Sequence, residues 1–233
     1  VRMVHALVFD GNEHEDFIKG MGLVFSVPMR EEIHNRHVRF SGEEDGLWAE
    51  PIQPMIGRGG RDVSLGDRRD LYPDQVDGKR MPDKAELNQR GQDLLGAWAV
   101  WADFKLTQAN ADGFTISKRT NPQSCWLPAG SGGRSTGLVY AGDVSGGFGI
   151  GVKDFWQSYP SSLEVQTAHR DTATVKAWLW SPDGPVMDMR HYDTLDWGHG
   201  LEAVYEDVQP GFSTPYGVAR TSELMLYPSA GLP

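Results

Sequence analysis

The sequence has a single cysteine, Cys125, so no intrachain disulfide can staple it. It contains no apolar run approaching the roughly 18–20 residues of a membrane-spanning helix, and no amino-terminal signal segment. Basic excess is missing as well: the formal net charge is −10. Nucleic-acid binding draws on a basic stripe that releases counterions, and none is visible. The same charge repels an acidic polymer from most of the surface, so a site for one has to be a local arginine or lysine pocket. The sequence also lacks a P-loop, a Gly-x-Gly-x-x-Gly opening a helix, His-Glu-x-x-His, Cys-x-x-Cys and Gly-x-Ser-x-Gly. Gly147-Phe148-Gly149-Ile150-Gly151 comes nearest to a phosphate loop, but it lies within a strand pattern.

Long Ala/Leu/Glu/Lys runs are absent, while glycine (28) and proline (14) are frequent, which favours short strands and turns over helices. At 233 residues the chain is long enough to bury a sizeable core, and all-β sandwiches of this length form one domain. The chain opens at Val1 in a strand-like pattern and ends at Gly-Leu-Pro. We read residues 1–233 as one domain of a longer multidomain protein.

Strands are predicted over 3–9, 17–27 (glycine-kinked and stopped by Pro28), 37–40, 113–119, 135–141, 148–155, 163–168, 174–180, 186–191 and 216–227. Two prolines make Trp48–Ile56 an edge strand or extended loop. Residues 57–82 read as a long surface loop or lid. Pro82 and Asp83 signal a short helix over 83–92. Leu95–Leu106, apolar on both alternating sets, reads as a strand buried on both faces, with a buried helix as its rival. The Pro-Ala-Gly-Ser-Gly-Gly run after Leu127 reads as a turn, and Gly146–Gly147 as a hairpin signal. About ten to twelve short strands imply an all-β fold, a large two-sheet antiparallel β-sandwich of supersandwich type with few short helices.

Aromatic and charged residues interleave most densely over residues 147–193. Strand alternation there puts Arg190 with Tyr192 on one face and His191 with Asp193 on the other. Proton removal next to a carboxylate needs a base plus a cation to hold the enolate charge. Arg190, His191 and Tyr192 are therefore the catalytic candidates. The rival reading pairs Arg190 with Asp188 or Asp193 and leaves His191 structural. Trp156, Tyr159, Lys153, Arg134, Trp197 and His199 are the substrate-binding candidates, since sugars stack their C–H faces on aromatic rings and need polar groups for their hydroxyls. The bland alternative makes Phe155, Trp156 and Tyr159 core and rim, and 196–200 a surface loop. His34-Asn35-Arg36-His37 could ligate a metal but is read as a solvated turn, lacking a third ligand at known spacing.

Five stretches together resemble one family: Asn35-Arg36-His37-Val38-Arg39-Phe40, Lys153-Asp154-Phe155-Trp156-Gln157-Ser158-Tyr159-Pro160, Trp178-Leu179-Trp180-Ser181-Pro182, Met187-Asp188-Met189-Arg190-His191-Tyr192-Asp193 and Gly217-Val218-Ala219-Arg220-Thr221. The chain is similar over nearly its whole length to the central β-sandwich domain of the exo-rhamnogalacturonan lyase family (polysaccharide lyase family 26, with the bacterial YetA-like proteins). The resemblance implies a neighbouring N-terminal β-domain and a C-terminal α/α toroid. It also implies cleavage of rhamnogalacturonan I by β-elimination in a cleft between domains. An acidic poly- or oligosaccharide is then the partner, and the excised domain is expected to be inactive. An extracellular or periplasmic location follows from such a substrate. No cofactor is expected, with Ca2+ possible but unsupported by the sequence. The alternatives are a non-catalytic carbohydrate-binding or structural module, and a glycan hydrolase using an acidic pair drawn from Asp188, Asp193 and Glu223.

Overall fold

Alternation at period two builds most of this molecule. In the strand Thr172–Trp180, Ala173, Val175, Ala177 and Leu179 are buried while Thr174, Lys176, Trp178 and Trp180 stay partly exposed. The structure is a computed structural model and describes residues 1–56, 71–192 and 215–231, with only the backbone described at His191 and Tyr192.

Among the described residues, twelve strands form two six-stranded sheets in which every pairing is antiparallel. The first sheet contains β1 (Arg2–Val8), β3 (Arg36–Ser41), β4 (Leu47–Pro51), β8 (Leu138–Asp143), β9 (Gly146–Val152) and β12 (Ala219–Ser229), in the order β1-β12-β9-β8-β3-β4. The second contains β2 (Met21–Pro28), β5 (Asp103–Asn110), β6 (Gly113–Arg119), β7 (Leu127–Gly132), β10 (Ser161–Gln166) and β11 (Thr172–Trp180), in the order β2-β11-β10-β5-β6-β7. Val38, Phe40, Val139, Ile150 and Leu224 of the first sheet meet Phe104, Leu106, Leu163, Val165 and Val175 of the second in one core. The expected all-β sandwich is what forms.

Among the described residues two short α-helices, α1 (Tyr72–Val76) and α2 (Gln89–Ala97), belong to a segment that packs against β3 and β4 of the first sheet. Met55, Leu71, Met81, Leu87 and Leu95 make a second apolar cluster there. Gln75 ties it down without solvent exposure: its side-chain amide donates to the carbonyls of His34 (2.7 Å) and Gln53 (2.9 Å), and its oxygen accepts from the Met55 amide (2.8 Å).

Four expectations need correction. Leu95–Leu106 is not one strand: Asn88 caps α2 by accepting from the Gly91 amide (2.8 Å), the helix runs through Ala97, and β5 starts only at Asp103. The glycine-rich run after Leu127 is an edge strand, β7, because ladder pairing uses backbone groups that glycine supplies. Residues 71–82 are not part of a loose loop, since Leu71, Gln75 and Met81 are buried; the other residues of that predicted lid, 57–70, lie outside the described residues. Val186–His191 is not a strand: Met187 makes a single bridge to Ile18, and Met189–Tyr192 is a 3-10 turn. Asp188 explains this last case, because its carboxylate accepts the Arg190 amide (3.1 Å) and so competes with a ladder. Trp48–Ile56 supplies the edge strand expected of it, β4.

The loop after β9 is held by one buried ring. Phe155 packs on Gly137, whose φ is +84° and at which a Cβ would lie 2.2 Å from the Phe155 Cβ. Gly137→Ala combines a left-handed backbone with that overlap, and is expected to cost roughly 2–5 kcal/mol of stability. Urea denaturation checks this as a lowered midpoint; an unchanged midpoint would mean the loop does not depend on the contact.

Candidate functional site

Leu224 and Leu226 of β12 point into the core, so Ser222 and Arg220 stand on the same inward face, two and four residues before Leu224. There the apolar core ends. Arg220 is half-buried, and burial pulls its pKa below the ordinary guanidinium value, yet it remains a cation at physiological pH. Its Nη2 donates to the Ser158 carbonyl (2.7 Å), and its guanidinium carbon lies 5.6 Å from the centre of the Trp180 ring. Among the described residues no carboxylate pairs with it.

Two depressions meet at this side chain. One, of about 190 Å³, is polar, lined by Lys153, Asp154, Ser158, Ser161, Ser222 and Glu223 among others. The other, of about 290 Å³, is mostly apolar, lined by Leu7, Phe9, Trp180, Met187, Met189 and Val218, with Asp188 at its edge. Both are small beside the roughly 300–1,000 Å³ pockets of drug-sized ligands, and each suits a single ring. Glu223 is engaged by Arg2 (2.7 and 2.9 Å), whose hydrogen bonds hold its carboxyl below the ordinary range, and Lys153 approaches it at 3.9 Å. Asp188 is held by Arg190 through two side-chain hydrogen bonds, 2.9 and 2.6 Å.

The sequence-chosen residues divide accordingly. Lys153 lines the polar depression. Trp156 and Tyr159 stand on the same loop, 153–160, but line neither depression. Arg134 stacks on Trp156 with its guanidinium carbon 4.4 Å from the ring centre, and also pairs with Asp112 (2.8 Å). Tyr159 is exposed, while Phe155 is core. Arg190 is exposed and bound to Asp188, the rival pairing; the shared strand face with Tyr192 fails because a 3-10 turn replaces the strand. The side chains of His191 and Tyr192, and all of Asp193, Trp197 and His199, lie outside the described residues. Arg220 was not singled out, although a cation on the core face of an apolar strand was there to be read.

The His34–His37 stretch is neither a solvated turn nor a ligand set. All four residues are buried. Asn35 accepts from the Met81 amide (2.7 Å), and Arg36 donates to the carbonyls of Glu31 and Arg170 (both 2.7 Å). Among the described residues no three His, Cys, Asp or Glu side chains gather to hold a metal ion.

Fold and site together define a large β-sandwich module with a notch centred on Arg220. A family model described as the PcRGLX-like protein central beta sandwich domain matches residues 1–233. An uncharacterized protein of Bacillus subtilis strain 168, YetA, is 34% identical over 227 residues, which is 97% of this chain and 25% of that protein. The chain therefore belongs to the PcRGLX-like central β-sandwich family, and it spans about a quarter of the relative's length.

Burial and then the Arg39 charge push His37 down from 6.5 to about 4. The unfolded chain thus binds more protons than the folded one between those values. Stability is complete above pH 6.5 and is lost as pH falls toward 4, a contribution of about 3 kcal/mol. Denaturation midpoints across this range check it: His37→Asn is expected to flatten the slope, and an equal slope in both proteins would contradict the assignment.

Proposed function

We propose that this chain is the sandwich domain of a polysaccharide lyase that cleaves rhamnogalacturonan-type pectin by β-elimination, lining a cleft between domains. The observation that carries the reading is the family match along the whole chain. The notch around Arg220 supports it, since an acidic protein needs a local cation to hold an acidic glycan. On this reading the neighbours in the full-length polypeptide are an N-terminal β-domain and a C-terminal α/α toroid. On the same reading the protein works outside the cell or in the periplasm, and the elimination is proposed to need no cofactor.

In β-elimination a base takes the proton on the carbon next to the galacturonate carboxylate. The electrons form a carbon–carbon double bond as the glycosidic oxygen leaves with its pair and takes up a proton. His191 and Tyr192 are the proposed base and acid. They continue the turn that starts at Met189, a residue of the apolar depression. Arg190 serves there as a neutralised partner of Asp188 rather than as a free cation. That pairing also favours the second reading, a carbohydrate-binding module without catalytic groups of its own.

The test is the full-length protein on rhamnogalacturonan, followed by absorbance of the unsaturated product. His191→Ala or Tyr192→Phe is expected to lower kcat by about 10²-fold or more if either transfers the proton, and the excised domain is expected to be inactive. Undiminished turnover in both variants would leave the binding-module reading. Saturated product ends would point to hydrolysis instead.

A further inference from the structure

Arg220 differs from the arginines that have a carboxylate beside them. Arg2, Arg80, Arg119, Arg134 and Arg190 each hold a carboxylate at 2.6–2.8 Å, and Arg36, met by two carbonyls, has the Asp171 carboxylate 3.7 Å away. Among the described residues, the half-buried Arg220 is met only by one backbone carbonyl and the face of Trp180. A desolvated guanidinium with a polar hollow in front of it is costly unless an anion completes it. The Ser158 carbonyl and Trp180 hold the guanidinium in place, so its remaining donors are pre-oriented. The acidic groups nearby are occupied or stand off: Glu223 is held by Arg2, Asp188 by Arg190, and Asp154 is exposed on the rim.

We propose that Arg220 is a carboxylate-binding residue of this domain, taking the carboxylate of a uronate ring in the polar depression beside Lys153 while the apolar depression on its other side takes the C–H face or methyl group of the adjoining deoxy sugar. This rests on the lyase reading for the identity of the sugars, but the anion site itself rests on the geometry. Polar and apolar hollows share one wall, the Arg220 side chain. An alternating acidic and deoxy disaccharide has the same division. Serines 158 and 222 offer hydroxyls to the uronate ring, while the buried Ser161 hydroxyl donates to the Ser158 carbonyl (2.6 Å). Leu7, Met187 and Val218 offer none, which suits a methyl group.

The test is titration of the full-length protein with galacturonate, with galactose, and with a rhamnose–galacturonate disaccharide, read from the Trp180 indole N–H resonance and by calorimetry. Galactose differs from galacturonate in lacking the carboxylate. Galacturonate is expected to move the Trp180 signal saturably, galactose not, and the disaccharide to bind more tightly than galacturonate. Arg220→Met, which keeps the apolar stem, is expected to weaken galacturonate at least tenfold, and Arg220→Lys to recover part of the loss. Equal response to galactose, no response, or full binding by Arg220→Met would overturn the carboxylate assignment. Equal affinity for galacturonate and the disaccharide would overturn the second subsite. The wild-type sugar comparison decides the matter even if a variant does not fold. Arg220-dependent binding in a protein that makes no unsaturated product would sink the lyase reading and leave this inference standing; elimination without such binding would do the reverse.

Discussion

The constraint on which everything else depends is the closing of two pleated apolar faces on each other. A strand shows each face every second residue, so once Leu224 and Leu226 enter the core the direction of every other β12 side chain is settled. Arg220 inherits an inward position from that register, although its own chemistry opposes it. The register with β1 sets Leu7 opposite it, and the end of β11 brings Leu179 and Trp180 alongside. The notch is therefore a by-product of strand pairing that a single cation turns into a site.

The two halves of the first sheet are treated differently. Around β3 the outer face is sealed: His37 and Arg39 are buried, and Arg39 donates to the Val76 carbonyl (3.3 Å) in the segment that carries Gln75 and the second apolar cluster. Around β12 and β1 no such cover exists among the described residues, and Val4, Val8, Met225 and Tyr227 remain exposed. The sealed half supplies rigidity, with Arg36 and Gln75 tied to backbone carbonyls. At the open end lie a small third cluster of Phe9, Met187 and Met189, the loop pinned by Phe155, and the side chains that a ligand could reach. Rigid scaffold and exposed rim are thus separated within one sheet.

Much of the sandwich was legible because its strands alternate cleanly: Phe114 and Ile116 of β6, and Val175, Ala177 and Leu179 of β11, announce their face. The failures share a cause, which is that period alone is silent where the backbone is captured by something other than a ladder. Asn88 claims the start of a helix and Asp188 folds a turn, each with one short side chain. Strand β7 shows the opposite case, a ladder whose glycines leave no side-chain pattern to read. Lys153, which lines the polar depression, stands out in the sequence because it sits amid aromatic residues, whereas Arg220 lies outside any dense motif. Counting back by twos from Leu226 through Leu224 and Ser222 reaches it directly. His34–His37 looked like a polar surface only because sequence does not reveal that Gln75 and Met81 will cover it.

The central claim is that the half-buried Arg220 is left without an acidic partner so that a sugar carboxylate can supply one. A crystal structure of the full-length protein soaked with a rhamnogalacturonan oligosaccharide tests it most directly. The account expects a galacturonate carboxylate within hydrogen-bond distance of the Arg220 guanidinium, with the adjoining rhamnose over Met187 and Val218. It is contradicted if an aspartate or glutamate from elsewhere in the polypeptide closes on Arg220 and the sugar binds away from the notch.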